Sequence, residues 1–237
     1  MKNLTIKLSL LILFQLPVHT FSQSFRIYKN DTINRTDSKG LKQGIWKRYY
    51  ENDTLFSMTT FKNGKPVGAT KTFYKSGKLQ AELVYKSDGK HASATSYYEN
   101  GKTKATGFYI DQKKDSVWKY YNEADTLSAI ESYKNGIKSG AWKTYYSNAT
   151  VSEEFIYVKG QRQGPYRQYF ENGKIKLEAT FKNDQIEGLA KIYTPEGRLW
   201  FSGIYKNGLR EGEWTYINAA GTKDSTEIYR NGELIIQ

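Results

Sequence analysis

The chain has 237 residues, with 36 Lys and Arg against 24 Asp and Glu and a formal net charge of +12. It contains no Cys and two His, which excludes disulfides, thiolate metal sites, cysteine nucleophiles and, with one of those His in an N-terminal leader, a His-pair metal site. It carries 20 Tyr, 11 Phe and 5 Trp, an aromatic load that has to be placed in any fold.

Residues 1–22 read as a secretory signal peptide. Lys2 and Lys7 form a positive region, Leu8 to Leu16 an apolar run, and Thr20 and Ser22 the small residues before a cleavage near Ser22-Gln23. The apolar run is too short to cross a hydrocarbon core of ~30 Å. The expectation is therefore an exported chain, periplasmic, cell-surface or secreted, with no transmembrane segment once mature. Its mature part keeps 34 basic against 24 acidic residues, a net +10. Residues 23–40 are polar and irregular in pattern and read as a cap or tether.

From residue 41 the sequence is periodic. Stepping by 24 gives an aromatic column of Phe61, Tyr85, Tyr109, Tyr133, Tyr157, Phe181, Tyr205 and Tyr229. Gly44, Gly68, Ala92, Ser116, Gly140, Gly164, Gly188 and Gly212 form a small-residue column, and Trp46, Trp118, Trp142, Tyr166 and Trp214 mark a third. A fourth runs from Tyr49 to Ile217. The columns define eight units: 41–64, 65–88, 89–112, 113–136, 137–160, 161–184, 185–208 and 209–232. Each reads as a β-hairpin. Asn-Gly at Glu99–Lys102 and Glu171–Lys174, and again at 63–64, 135–136, 207–208 and 231–232, signals type I′ turns. The small-residue column is expected to let backbones approach closely. No window shows a helical period, so the fold class is all-β: an elongated single-sheet array of eight 24-residue hairpin repeats, roughly 75–80 Å long at ~4.8 Å per strand. The tail 233–237 is short enough to be a closing strand.

Tyr205-Lys-Asn-Gly208 through Gly212 and Trp214, and Tyr133-Lys-Asn-Gly136 through Gly140 and Trp142, resemble the MORN repeat. The spacing is most similar to MORN-variant repeats of proteins named as toxin–antitoxin antitoxin components, which include signal-peptide-bearing bacterial members. The resemblance covers 41–232 and implies an interaction scaffold, in some cases with a lipid connection. Asp88, Gln112 and Asp184 depart from the turn Gly, and Ala92 and Ser116 from the packing Gly.

Catalytic chemistry has few candidates. His91 lies near Asp88, Ser87 and Ser93, but nothing in a repetitive sheet predicts the cleft that a triad needs. Glu153 and Glu154 alternate to opposite faces of one strand. No zinc, calcium-loop or phosphate-loop pattern is present, so no metal, cofactor or enzymatic activity is expected. The charge is better organised. Lys47, Lys71, Lys119, Lys143, Arg167 and Lys191 form one basic column, and Lys62, Lys86, Lys134, Lys182, Lys206 and Arg230 a second. Such ladders suit an extended anionic partner, or serve only to protect the sheet from aggregation. The first ladder is the candidate anionic-partner site. Nucleic acid is disfavoured by export. The ring columns suit a stacked core better than a ligand cage, while Phe56, Trp200 and Phe201 mark where a partner patch could lie. The function expected is a non-enzymatic repeat scaffold for protein–protein interaction at the cell envelope. An anionic lipid or glycan module, and an antitoxin acting on a cognate toxin, are the alternatives.

Overall fold

The structure, a computed structural model, describes residues 23–28 and 31–236. The leader reading of residues 1–22 lies outside the described residues. Every regular element among them is a β-strand, and, with segments split by a bulge such as Ile137–Lys138 and Gly140–Tyr145 counted as one, each strand pairs antiparallel with its neighbours in sequence, giving one open meander. In unit 1, Lys42–Tyr49 pairs with Leu55–Lys62, which in turn pairs with Lys65–Phe73 of unit 2. That arrangement repeats to Leu209–Ile217 and Lys223–Arg230 of unit 8, and Glu233–Ile236 closes the sheet as a last strand.

The stretch 23–40 is more regular than its composition suggests. Ser24–Tyr28 and Asp31–Thr36 form a hairpin, and Arg35 and Thr36 pair with Gln43 and Lys42, so the cap is part of the sheet. Ile33 supplies its buried anchor. The Asn34 amide brackets the Lys47 backbone, donating to its carbonyl (3.1 Å) and accepting from its N–H (2.8 Å).

Two kinds of turn alternate. Between units the turns are two-residue type I′, with positive φ at both Asn63 and Gly64, Asn135 and Gly136, and Asn207 and Gly208. Gln112 and Asp184 adopt the left-handed conformation although they are not glycine. Within units the turn differs from the type I′ expected. In Tyr98–Lys102 only Gly101 has positive φ, Gly101 N–H donates to the Tyr98 carbonyl, and Tyr98 N–H donates to the Lys102 carbonyl. This is a type I turn closed by a G1 bulge, a three-residue loop. All eight units use it, with Asp53, Gly77, Gly101, Asp125, Ala149, Gly173, Gly197 and Gly221 in the left-handed position.

Most of the small-residue column has a different cause from the one its sequence suggests, Gly140 excepted, where an added Cβ would lie 3.2 Å from the Cβ of Ser132. A Cβ at Gly44, Gly68, Gly164, Gly188 or Gly212 would meet nothing within 4 Å, and φ lies between +66 and +81. These glycines serve a bulge rather than a close approach. Around Gly68 the pairing passes from Phe61–Pro66 to Thr59–Thr70, so the second strand accommodates two extra residues. Unit 3 solves the count another way. Ala92 does not take positive φ, the register runs unbroken from Tyr85–Ala92 to Ala81–Ser96, and the extra pair enlarges the turn to the four residues 87–90. Repeat length is thus conserved without the bulge.

One face of the sheet holds the rings. Across it run Trp118, Trp142, Tyr166 and Trp214, each no more than 9% exposed, interleaved with small residues such as Ala94, Gly107, Ala179, Ala190 and Gly203. Close approach occurs here: an added Cβ at Gly107 or Gly203 would lie 2.2 or 2.3 Å from the indole of Trp118 or Trp214. Neighbouring rings meet edge-on, as in Tyr109–Trp118 at 5.0 Å and Tyr205–Trp214 at 5.1 Å. Basic side chains lid the row, with Lys114, Lys138 and Arg210 4.6, 4.6 and 4.4 Å above the rings of Trp118, Trp142 and Trp214. Burying one such ring contributes roughly 1.5–3 kcal/mol, so this single face supplies most of the apolar stabilisation.

Candidate functional site

Strand alternation puts the residues between those rings on the opposite face. Three parallel rows cross it. The first contains the ladder expected to meet an anionic partner, and the register places a carboxylate beside most of its cations. Lys71 lies 3.3 Å from Glu82, Lys143 lies 2.9 Å from Glu154, and Arg167 bridges Glu154 (3.5 Å) and Glu178 (3.3 Å). Lys47 pairs with Asp31 of the cap at 2.9 Å. Lys191 stands opposite Glu178 and Ser202 in the register. Lys119 faces Thr106 and Ile130, with no carboxylate across from it. The ladder exists as a line, but it is spent mainly within the molecule. Tyr169 and Tyr193 complete the network by donating to Glu154 (2.7 Å) and Glu178 (2.8 Å). Those hydrogen bonds are the largest cause of the lowered pKa of Glu154 and Glu178, reinforced by Lys143 and Arg167. Burial, then the same carboxylates, pushes Tyr169 and Tyr193 up to about 12. Glu153, one residue from Glu154 and on the ring face, is shifted the other way, upward, by burial.

The second basic column, at the edge formed by the type I′ turns, has the opposite character. Lys62, Lys86, Lys134, Lys182, Lys206 and Arg230 are exposed, and none makes an ion pair among the described residues. Between the two basic rows lies a row that sequence reading missed. Ile45, Val84, Phe108, Val117, Ile156, Leu189 and Ile204 fall at two facing positions of the repeat, and each is 39–53% exposed. Among the described residues no other layer covers them. A 24-step tally of positions 45 and 60 would have found this stripe, although small or polar residues (Thr60, Ala69, Ser93, Ser132, Ala141, Thr180), Pro165 and the charged Glu213 interrupt it. Of the aromatic positions expected to mark a patch, Trp200 is 51% exposed while Phe201 packs against Trp214 and Tyr216. Phe56 packs on Tyr50.

His91 serves its own loop. Its Nδ1 lies 2.6 Å from Asp88 Oδ2, while Asp88 Oδ1 accepts the backbone N–H of Lys90 and of His91. Those contacts, the His91 backbone first, hold the Asp88 carboxyl well below the usual range. No hydrogen bond joins Ser87 or Ser93 to His91 among the described residues. No group of three or more potential metal ligands occurs among them, and no described helix is long and apolar enough to cross a membrane.

Residues 42–63, 66–87, 90–111 and 162–183 match the family model described as a MORN repeat variant. Four of the eight units carry the MORN-variant signature. The matches begin at the same position of the 24-residue period, so the MORN-variant frame and the hairpin frame coincide. No curated protein matches the chain. Among solved structures, a mutant of S. aureus TarM in complex with fondaparinux, alpha-GlcNAc-glycerol and UDP is 12% identical, covering 45% of this chain and 21% of TarM at a TM-score of 0.32. A second TarM structure is 14% identical over 45% of this chain and 20% of that one, at 0.31. A TcdB2-TccC3-Cdc42 structure is 11% identical over 84% of this chain and 15% of that one, at 0.17. The chain spans only about a fifth of the TarM chains it overlays, and TM-scores this low carry no argument.

Proposed function

We propose that the protein is a non-enzymatic repeat scaffold, exported to the cell envelope, that binds another protein across the face opposite its Trp row. The exposed apolar stripe carries this reading. A sheet with one packed face and one bare apolar row flanked by cations has the anatomy of an interface with an apolar centre and a polar rim. The MORN-variant match supports the scaffold part. The test is affinity capture from envelope extract with the full chain and with Ile156→Asp/Ile204→Asp. A single stoichiometric partner lost in the variant supports the reading, and equal capture by both defeats it.

The unpaired turn-edge lysines favour a second reading, attachment to an anionic lipid or glycan surface. Co-sedimentation with vesicles containing phosphatidylglycerol would then weaken steeply with added salt and with Lys62→Glu/Lys86→Glu/Lys134→Glu. Binding indifferent to salt would contradict it.

A further inference from the structure

The departures from the repeat that look scattered in sequence meet in space. On the stripe face of unit 3, Thr95 and Thr106 stand where units 2 and 5 carry a Lys–Glu pair and unit 6 an Arg–Glu pair, and Ile110 stands where most units place the turn-edge lysine. The bulge is absent at Ala92, and the enlarged loop 87–90 is capped by Asp88. Together they break both basic rows at one place and leave Phe108, the most exposed ring of the stripe at 53%, standing between two depressions. One, of about 440 Å³, runs along Val84, His91 and Ile110; the other, of about 370 Å³, along Thr95, Thr106 and Val117. Each is large enough for an aromatic or long aliphatic side chain. The first is edged by Lys86 and the second by Lys119, and neither lysine has an ion-pair partner among the described residues.

We infer that this point is the docking hot spot for an acidic segment of a partner protein, one that seats an apolar side chain on each side of Phe108 and sets carboxylates against Lys86 and Lys119. Asp115, the register partner of Phe108, is already engaged by the Asn135 N–H and the Ser116 hydroxyl, so the unpaired charge at the depressions is that of the two lysines: an apolar segment with basic flanks would bring like charges together, and a polyanion without apolar side chains would leave Phe108 uncovered. The inference rests on the scaffold reading and narrows it to one site and one class of ligand.

The probes are three fluorescent twelve-residue peptides binding the full chain: one alternating Glu with Phe and Leu, one with Lys in place of Glu, and one of Glu and Ser alone. The inference predicts anisotropy binding for the first only. Its affinity should fall at least tenfold with Phe108→Ser and with Lys86→Glu/Lys119→Glu, while Leu234→Ser, on the closing strand and outside the stripe, leaves it within twofold. Both Phe108 and Leu234 are exposed, so melting temperature should separate lost binding from lost folding. No binding by the first peptide, equal binding by the second or third, or indifference to Phe108→Ser overturns the assignment. A photo-crosslinking residue at 108 and, separately, at 204 in the exporting cell divides the two levels. Protein adducts from 204 but not 108 sink the hot spot and leave the scaffold standing, whereas none from either position sinks both.

Discussion

The Trp row makes a sharp demand on Gly107. Its φ is ordinary for a strand, so a substitution there is tested by space alone. In Gly107→Ala the new Cβ falls 2.2–2.7 Å from three atoms of the Trp118 indole, well inside contact distance, and the ring must tilt or the strands must separate. Overpacking of this kind costs about 1–3 kcal/mol. Tilting also breaks the bond from Trp118 Nε1 to the Phe108 carbonyl, 3.1 Å long, worth about 1 kcal/mol. The gain of an alanine in place of glycine in a strand returns about 0.5 kcal/mol. The net expectation is a destabilisation of about 2–3 kcal/mol, read as a shift in the urea midpoint followed by Trp fluorescence and circular dichroism. Gly203→Ala meets Trp214 at 2.3–2.5 Å, but Trp214 Nε1 has no partner among the described residues to lose, so its cost should be smaller by about 1 kcal/mol. In a Trp118→Leu background the Gly107→Ala penalty should vanish. A Gly107→Ala protein within about 0.5 kcal/mol of the parent would refute the packing of this face.

Ala149 holds φ +65 where five other units use glycine. Ala149→Gly should therefore raise stability by roughly 0.5–1 kcal/mol in the same urea experiment, since relief of the left-handed conformation outweighs the entropy of glycine. The Tyr98 and Tyr146 hydroxyls each donate at 2.8 Å to a backbone carbonyl of the next unit, at Tyr121 and Tyr169. Tyr98→Phe and Tyr146→Phe should each cost about 1 kcal/mol, and amide exchange should quicken in the unit that follows. Glu154 and Glu178 have lowered folded pKa values, so their stabilisation is present above the ordinary carboxylate range and is lost as pH falls through their folded values; Glu153, raised by burial, offsets part of it. At the alkaline end Tyr169 and Tyr193 are raised to about 12, so stability should hold to the ordinary tyrosine value near ~10 and drop as pH rises toward 12. In a difference titration of the parent against Tyr169→Phe/Tyr193→Phe, tyrosinate absorbance from those two residues already growing at pH 9 in the folded protein would contradict that placement.

The period, the hairpins and the ring columns were legible because each depends on residue type at a fixed spacing: Asn-Gly at 63–64 can do little but turn, and rings recurring every 24 residues must stack. Three features were hidden for physical reasons. Glycine looks the same in sequence whether it serves a left-handed bulge, as at Gly68, or lies under an indole, as at Gly107, and only the backbone separates the two. The Asn-Gly of 100–101 and that of 63–64 differ by one residue of loop length, set by where Tyr98 pairs with Lys102. The first basic ladder looked free because its carboxylates sit in a sparse column of the facing strand, where only Glu82, Glu154 and Glu178 occupy eight positions. For the same reason the second ladder, unpaired at the turn edge, was not preferred over the first.

Hydroxyl-radical footprinting of the free protein tests the division of the sheet into a packed face and a bare one. The account predicts oxidation of Phe108, Ile156, Leu189 and Ile204 with Trp118, Trp142 and Trp214 protected until the fold melts. Rapid oxidation of those three tryptophans in the folded chain, with the stripe spared, would mean that the faces have been assigned the wrong way round.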